Sequence, residues 1–210
     1  MLAENCEKEY YGKGFQYVAG VDEVGRGCLA GPVIAAAVIL PMDHELQGLS
    51  DSKLLSENQR EKLSQEIHQR AIAIGIGSMG PEVIDRINIL QASCEAMRKA
   101  ILQLQPPPDF LLVDGNLKNL LSIPQKSIPQ GDRRCQSIAA ASIVAKVFRD
   151  NLMKTLDAQY PQYDWATNKG YPTTTHLVAI EKFGVSELHR KTFRGVKEWI
   201  SGRSPQLEGS

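Results

Sequence analysis

The sequence has no run approaching the roughly 20 consecutive apolar residues of a membrane helix, so a membrane-spanning reading is set aside. Its start, MLAENCEKEYYGKGF, has no apolar stretch of the signal-peptide kind, and the cytoplasm is the expected compartment. Cysteine is scarce: Cys6, Cys28, Cys94 and Cys135 lie far apart with no CxxC pair. That argues against a zinc knuckle or a disulfide framework, and reduced thiols are expected. Repeats and low-complexity runs are missing, which excludes a solenoid. Net charge is missing too: 24 Lys and Arg balance 24 Asp and Glu, so the total gives no reason to expect a polyanionic partner.

What is present fits one main core with a small appendage: 210 residues, 42% hydrophobic and 23% charged. The charge is unevenly placed. Residues 1–114 hold 10 Lys and Arg against 16 Asp and Glu, whereas residues 115–203 hold 14 against 7. The second half is therefore the electrostatic candidate for binding phosphates, a solvated basic face without a partner being the alternative.

Hydrophobic patterning predicts strands at Tyr17 to Val21 and Val33 to Leu40, joined across a Gly-rich turn as a hairpin. Ser56 with Gln59 makes a capping box opening a helix to about Ala71, and AIAIGIG then reads as a buried strand. Pro81 starts a long helix whose apolar face runs from Val83 to Leu104 before PPP stops it. Strands are expected at FLLV, ending at Asp114, and at Ile123 to Ile128. An Ala-rich helix over Ser137 to Leu156 and a short one over Thr173 to Phe183, closed by Gly184, complete the pattern. The fold class is α/β, a mixed sheet flanked by helices with a small helical C-terminal region. The expected division is an extension at 1–16, a main α/β domain at 17–160, a small helical region at 161–203 and a disordered tail at 204–210.

Chemistry concentrates in VDEVGRGCLAG, where an apolar strand ends in adjacent Asp22 and Glu23 and enters Gly25, Arg26 and Gly27. Acidic residues are poor strand material. Neighbouring strand residues point to opposite faces, so both carboxylates reach one metal only where a strand end curls. A surface turn is the plain alternative. A dinucleotide loop is disfavoured because GRGCLAG does not match GxGxxG and a strand follows. Asp114 closes the strand FLLVD, and Asp132 lies in the loop QGDRR before the Ala-rich helix. Strand ends in an α/β sheet are where ligands bind. Oxygen-only ligands without His or Cys suit Mg²⁺ or Mn²⁺ better than Zn²⁺. Two such ions can activate a water and stabilise the leaving oxygen of a phosphodiester. Each Asp taken singly is more often a turn residue.

The segments GVDEVGRGCLAGP, LSDSKLLSE, PEVIDRINILQAS, LLVDGN, QGDRRCQSIAAASIVAKVFRD, YPQY, NKGY and HRKTF, in that order, resemble the bacterial ribonuclease HII family from about Tyr17 to Phe193. The resemblance implies a ribonuclease H-like sheet and an endoribonuclease that cuts the RNA strand of RNA–DNA hybrids. It also implies cleavage on the 5′ side of ribonucleotides embedded in duplex DNA, leaving a 3′-hydroxyl and a 5′-phosphate. The implied metal ligands and catalytic residues are Asp22, Glu23, Asp114 and Asp132, holding two Mn²⁺ or Mg²⁺ ions. Gly25, Arg26, Gly27 and Tyr171 are implied readers of the ribonucleotide's 2′-hydroxyl, the group by which a protein tells RNA from DNA. Lys53, Ser142 and Lys146 are the implied phosphate-contacting positions, with a solvated surface or helix packing as the alternative. The expected partners are nucleic acid and no membrane, and the expected state is a monomer.

Asp150 of VFRD is assigned a structural role, pairing with an Arg, and is the reserve candidate for fourth ligand. His176 and His189 are assigned to packing or hydrogen bonding. Gln130, Leu54 and Val24 depart from the family pattern, the first two by losing a Lys each, which Arg133 and Arg134 offset. Two rivals stand: another two-metal nuclease of the ribonuclease H-like superfamily, and a hybrid-binding module without catalysis.

Overall fold

The computed structural model describes residues 6–43, 46–49, 55–117 and 120–202. In chain order the elements are α1 (Cys6–Tyr11), β1 (Val18–Val24), β2 (Val33–Ile39), α2 (Glu57–Arg70), β3 (Ala73–Met79) and α3 (Pro81–Leu102). Then come β4 (Phe110–Asp114), β5 (Gln125–Ile128), α4 (Gln136–Asp157), α5 (Trp165–Asn168), α6 (Thr174–Phe183) and α7 (Lys197–Ile200). No helix among the described residues is long and apolar enough to cross a membrane.

The chain forms two compact units. The first comprises Met1–Val24, Ile34–Ser78 and Ser93–Phe148, and the second comprises Gly25–Val33, Met79–Ala92 and the chain from Arg149 onward. The first unit holds a five-stranded sheet in the order β3-β2-β1-β4-β5. β1 pairs antiparallel with β2 and parallel with β4, and β4 pairs parallel with β5. β2 is buried along its whole length and reads VIAAAVI, the unbroken apolar run of a strand covered on both faces.

The α4 helix is packed closely around its first turns, where the residues are small: Ala139, Ala140, Ala141 and Ala145 are fully buried. Gly20 of β1 completes the fit, since a Cβ there would overlap the Ser137 carbonyl. The helix N-terminus is capped from far away in sequence. Glu7 of α1, itself buried, accepts from the Ser137 backbone N–H (2.7 Å) and from Ser137 Oγ (2.5 Å). A carboxylate there satisfies an otherwise unpaired N–H and opposes the helix dipole. Tyr10 stacks on Phe110 with ring centroids 4.1 Å apart, so the polar start of the chain is docked onto the sheet.

The second unit has its own apolar cluster, including Leu29, Met153, Tyr163, Trp165, Ile180 and Val196.

The capping box is formed as expected: Ser56 accepts from the Gln59 N–H and Gln59 accepts from the Ser56 N–H. Two expectations are corrected. The helix expected to run unbroken from Pro81 is kinked at Asn88, which has φ 66° and accepts from the N–H groups of Leu90 and Gln91. With ψ 164° this is extended positive-φ backbone, rare for any residue but glycine, and the Asn88 side chain holds it by capping the segment that follows, a local hydrogen bond that apolar periodicity does not reveal. The cysteines are not all reduced: Cys6 and Cys135 form a disulfide across 129 residues, with Cα atoms 5.2 Å apart, while Cys28 and Cys94 are free. Sequence spacing cannot register a pair brought together by docking α1. Thiol titration of the unfolded, unreduced protein should therefore count two thiols, and four after reduction; four before reduction would contradict the pairing.

Candidate active site

Three neighbouring parallel strands of the first unit bring carboxylates to one edge of the sheet, and β1 does not stop at its acidic pair as expected but carries Asp22 and Glu23 within it, opposite Ala36 and Ala35 of β2. Val21 of β1 stands opposite Val113 of β4, so the next residues, Asp22 and Asp114, come side by side. Asp114 in turn is in register with Ile128 of β5, and four residues further on the chain turns through Gly131–Arg133, a single 3₁₀ turn that carries Asp132. The Gly131 N–H donates to Asp114 Oδ1 at 2.6 Å, fixing the Asp132 turn against the end of β4. Asp22 and Asp132 are buried, Glu23 and Asp114 half-buried.

The electrostatics of this edge are unfavourable by themselves. Burial pushes the Asp22 carboxyl well above the usual carboxylate range, and the charges of Glu23 and Asp114 push it further. Hydrogen bonds from Ser142 and from the Glu23 backbone N–H, the latter at 2.7 Å, act the other way. A buried carboxylate crowded by two others is what a bound cation relieves. The donors are oxygens only, which fits a hard divalent ion. Among the described residues no three His, Cys, Asp or Glu side chains close into a ready metal-binding group, so the four carboxylates share an edge rather than a finished cage.

Of the expected phosphate contacts, Ser142 is buried and bonded to Asp22, and Lys146 is half-buried one helical turn further along α4. Lys53 lies outside the described residues.

The expected ribose readers belong to the second unit. Gly25 is buried, whereas Arg26 and Gly27 are exposed. Tyr171 is 37% exposed, yet burial around its hydroxyl, with Cys28 beside it, raises its pKa to about 12. The phenol therefore keeps its proton at any physiological pH. Asp150 is buried and its charge bears on Tyr171, in keeping with a structural role.

The two histidines form a defined relay of hydrogen bonds. His176 Nδ1 faces the Tyr171 carbonyl at 2.9 Å, and because a carbonyl only accepts, Nδ1 carries the hydrogen. His176 Nε2 then accepts from Trp165 Nε1 and from His189 Nε2, both at 3.1 Å. His189 Nδ1 in turn accepts from the Ser186 N–H at 2.9 Å. Both rings are neutral in this arrangement. Burial lowers the pKa of each, and for His189 burial together with His176 lowers it to about 3.

Because the unfolded His189 imidazole takes a proton near 6.5 and the folded one only near about 3, its stabilisation is whole above pH 6.5 and is lost as pH falls between those values. The melting temperature of a His189→Gln variant should accordingly fall less steeply than that of the parent between pH 6.5 and 4; equal slopes would contradict this.

Two residues escaped the sequence reading. Arg149 and Arg190 are both fully buried, behind the Gly25–Gly27 turn. The available signal was a lone Arg inside an otherwise apolar helix face and another in HRKTF.

A mixed sheet whose parallel central strands deliver carboxylates to one edge defines the class by architecture, a ribonuclease H-like fold. A family model described as Ribonuclease HII matches residues 19–196. The Ribonuclease HII of Geobacter metallireducens is 55% identical over 188 residues, spanning 90% of this chain and 88% of that protein. The ribonuclease H2 of Pyrococcus horikoshii OT3 is similar in structure with a TM-score of 0.75 at 24% identity, covering 90% of this chain and 99% of that one. Bst-RNase HIII, solved in complex with Mn²⁺, gives 0.73 at 18% identity over 90% of this chain and 70% of that one. These two structural likenesses speak to the fold alone. The chain belongs to the ribonuclease HII family and is a ribonuclease H endonuclease.

Proposed function

We propose that the enzyme hydrolyses the RNA strand of RNA–DNA hybrids and cuts on the 5′ side of single ribonucleotides in duplex DNA, using two divalent ions held by Asp22, Glu23, Asp114 and Asp132. The observation that carries this reading is the shared edge: β1 carries Asp22 and Glu23 just past its last pair with β4, β4 ends in Asp114, and the turn after β5 carries Asp132. When bound, such ions would supply Lewis-acid stabilisation of the phosphodiester and a water acidic enough to attack it. The Mn²⁺ in the related Bst-RNase HIII structure supports the choice of metal class.

The protein's own residues do the rest. Ser142 orients Asp22 through its hydrogen bond. The backbone of Gly25–Gly27 reaches the 2′-hydroxyl, Arg26 meets a phosphate, and Tyr171 stacks beside the deoxyribose beyond the cut. Lys53 and Lys146 contact phosphates along the duplex. We infer further a mainly catalytic domain at 17–160 and a region at 161–203 that adds substrate contacts, with a monomeric state and a cytoplasmic site of action.

The test is a set of three labelled duplexes, an RNA–DNA hybrid, a DNA duplex with one ribonucleotide, and all-DNA, each with Mg²⁺, Mn²⁺ or chelator. Cleavage of the first two with metal only, and none of the third, is the expected pattern. Equal cutting of all-DNA would support a different two-metal nuclease, and tight binding without product would support a hybrid-binding module.

A further inference from the structure

Arg149 and Arg190 are buried without exposure in the second unit, and their hydrogen bonds converge on one stretch of backbone. Arg149 donates from Nε to the Pro32 carbonyl (3.1 Å), from Nη2 to Ala30 (3.1 Å) and from Nη1 to Lys169 (2.7 Å). Arg190 donates from Nε to the Gly31 carbonyl (3.1 Å) and from Nη1 to Arg26 (2.9 Å). The backbone adds three ties, Leu29 N–H to Gly170, Gly31 N–H to Leu188 and Arg190 N–H to Leu29, at 2.8, 2.9 and 2.8 Å. The Arg149 guanidinium carbon lies 5.9 Å from the Tyr171 ring centroid. Gly25 sits so close that a Cβ there would overlap Arg149 Nε, and its φ of +90° independently favours glycine.

Burying this pair is costly. Two neighbouring cations have been taken out of water, and Arg190 Nη2 is buried with no hydrogen-bond partner. Apolar side chains would avoid that cost but would leave five backbone carbonyls without their donors. Burial pulls the Arg190 pKa down to about 10, which is a measure of that cost. What two planar forks supply, and a flexible ammonium does not, is fixed geometry: five carbonyls, four in residues 26–32 and one at Lys169, held at set positions. The groups so held from behind are exposed in front, namely Arg26, Gly27 and Tyr171.

We propose that Arg149 and Arg190 are positioning residues for ribonucleotide recognition, a guanidinium pair that fixes the spacing between the Gly25–Gly27 turn and Tyr171 and so sets how efficiently a lone ribose is found. This rests on the reading that those two elements sense the 2′-hydroxyl. A long hybrid offers a ribose at every step and tolerates a misplaced sensor, whereas a single embedded ribonucleotide does not.

The experiment compares the full-length parent with Arg149→Lys and Arg190→Lys on a DNA duplex with one ribonucleotide and on a long hybrid. The readout is the ratio of kcat/KM between the two substrates, which partial unfolding does not alter because both are cut by the same folded fraction. Each variant should lower the ratio about tenfold or more, mainly through kcat, since a displacement of the order of 1 Å can cost up to a hundredfold. Gly25→Ala should lower it similarly, and the Gly25→Ala, Arg149→Lys double variant should be no worse than the weaker single one, because both act through one contact. An unchanged ratio, equal losses on both substrates, or additive effects in the double variant would overturn the inference while leaving the hydroxyl reading intact. If the parent cuts an all-DNA duplex as fast as the ribonucleotide-containing one, the hydroxyl reading fails and the inference with it.

Discussion

Replacing Asp22 by Asn should lower turnover on a ribonucleotide-containing duplex by about a thousandfold, the equivalent of about 4 kcal/mol of lost transition-state stabilisation, while hybrid binding changes little. Glu23→Gln, Asp114→Asn and Asp132→Asn should behave alike. The same substitution should raise the melting temperature in the absence of metal. Asp22 is buried and crowded by Glu23 and Asp114, so its charged form destabilises the fold, and a neutral isostere can still accept from Ser142 and the Glu23 N–H. Adding Mn²⁺ should stabilise the parent more than Asp22→Asn. An Asp132→Asn enzyme of near-normal activity would remove Asp132 from the ligand set, and a loss seen only with Asp150→Asn would transfer the role there.

The second large effect concerns Tyr171. Tyr171→Ala should cut kcat/KM on a duplex with one ribonucleotide by roughly 10- to 100-fold, from the approximately 1–3 kcal/mol of a base or sugar stacked on an aromatic ring, and should hurt a long hybrid less. Tyr171→Phe isolates the hydroxyl, which burial keeps protonated. Steady-state kinetics on both substrates reads this, and equal losses on the two would mean that Tyr171 only packs.

The sheet and the acidic edge were legible because their signals are local. FLLVD and VDE each break an apolar run with a carboxylate, and parallel pairing of β1 with β4 brings Asp22 and Asp114 together; that β1 runs on through Glu23 to Val24 was not legible, because acidic residues are poor strand material. The kink at Asn88 was not legible, since the apolar spacing continues across it and only a side-chain hydrogen bond marks it. Nor was the role of Glu7, which caps a helix 130 residues away, or the Cys6–Cys135 pair, because both depend on where α1 docks. Arg149 and Arg190 were visible as motif letters, but their partners are backbone carbonyls, which no side-chain pattern records. The histidines were assigned to packing or hydrogen bonding, and each ring nitrogen is engaged in a hydrogen bond, with His176 tied to the Tyr171 carbonyl.

The central claim is that the 2′-hydroxyl is a recognition handle and that an external water attacks the phosphate. A DNA duplex with one labelled ribonucleotide, incubated with the enzyme and Mg²⁺ or Mn²⁺, tests it by mapping the cut and the chemistry of both new ends. The account predicts a single cut on the 5′ side of the ribonucleotide, leaving a 3′-hydroxyl upstream and a 5′-phosphate downstream. A 2′,3′-cyclic phosphate, or a cut on the 3′ side, would contradict it.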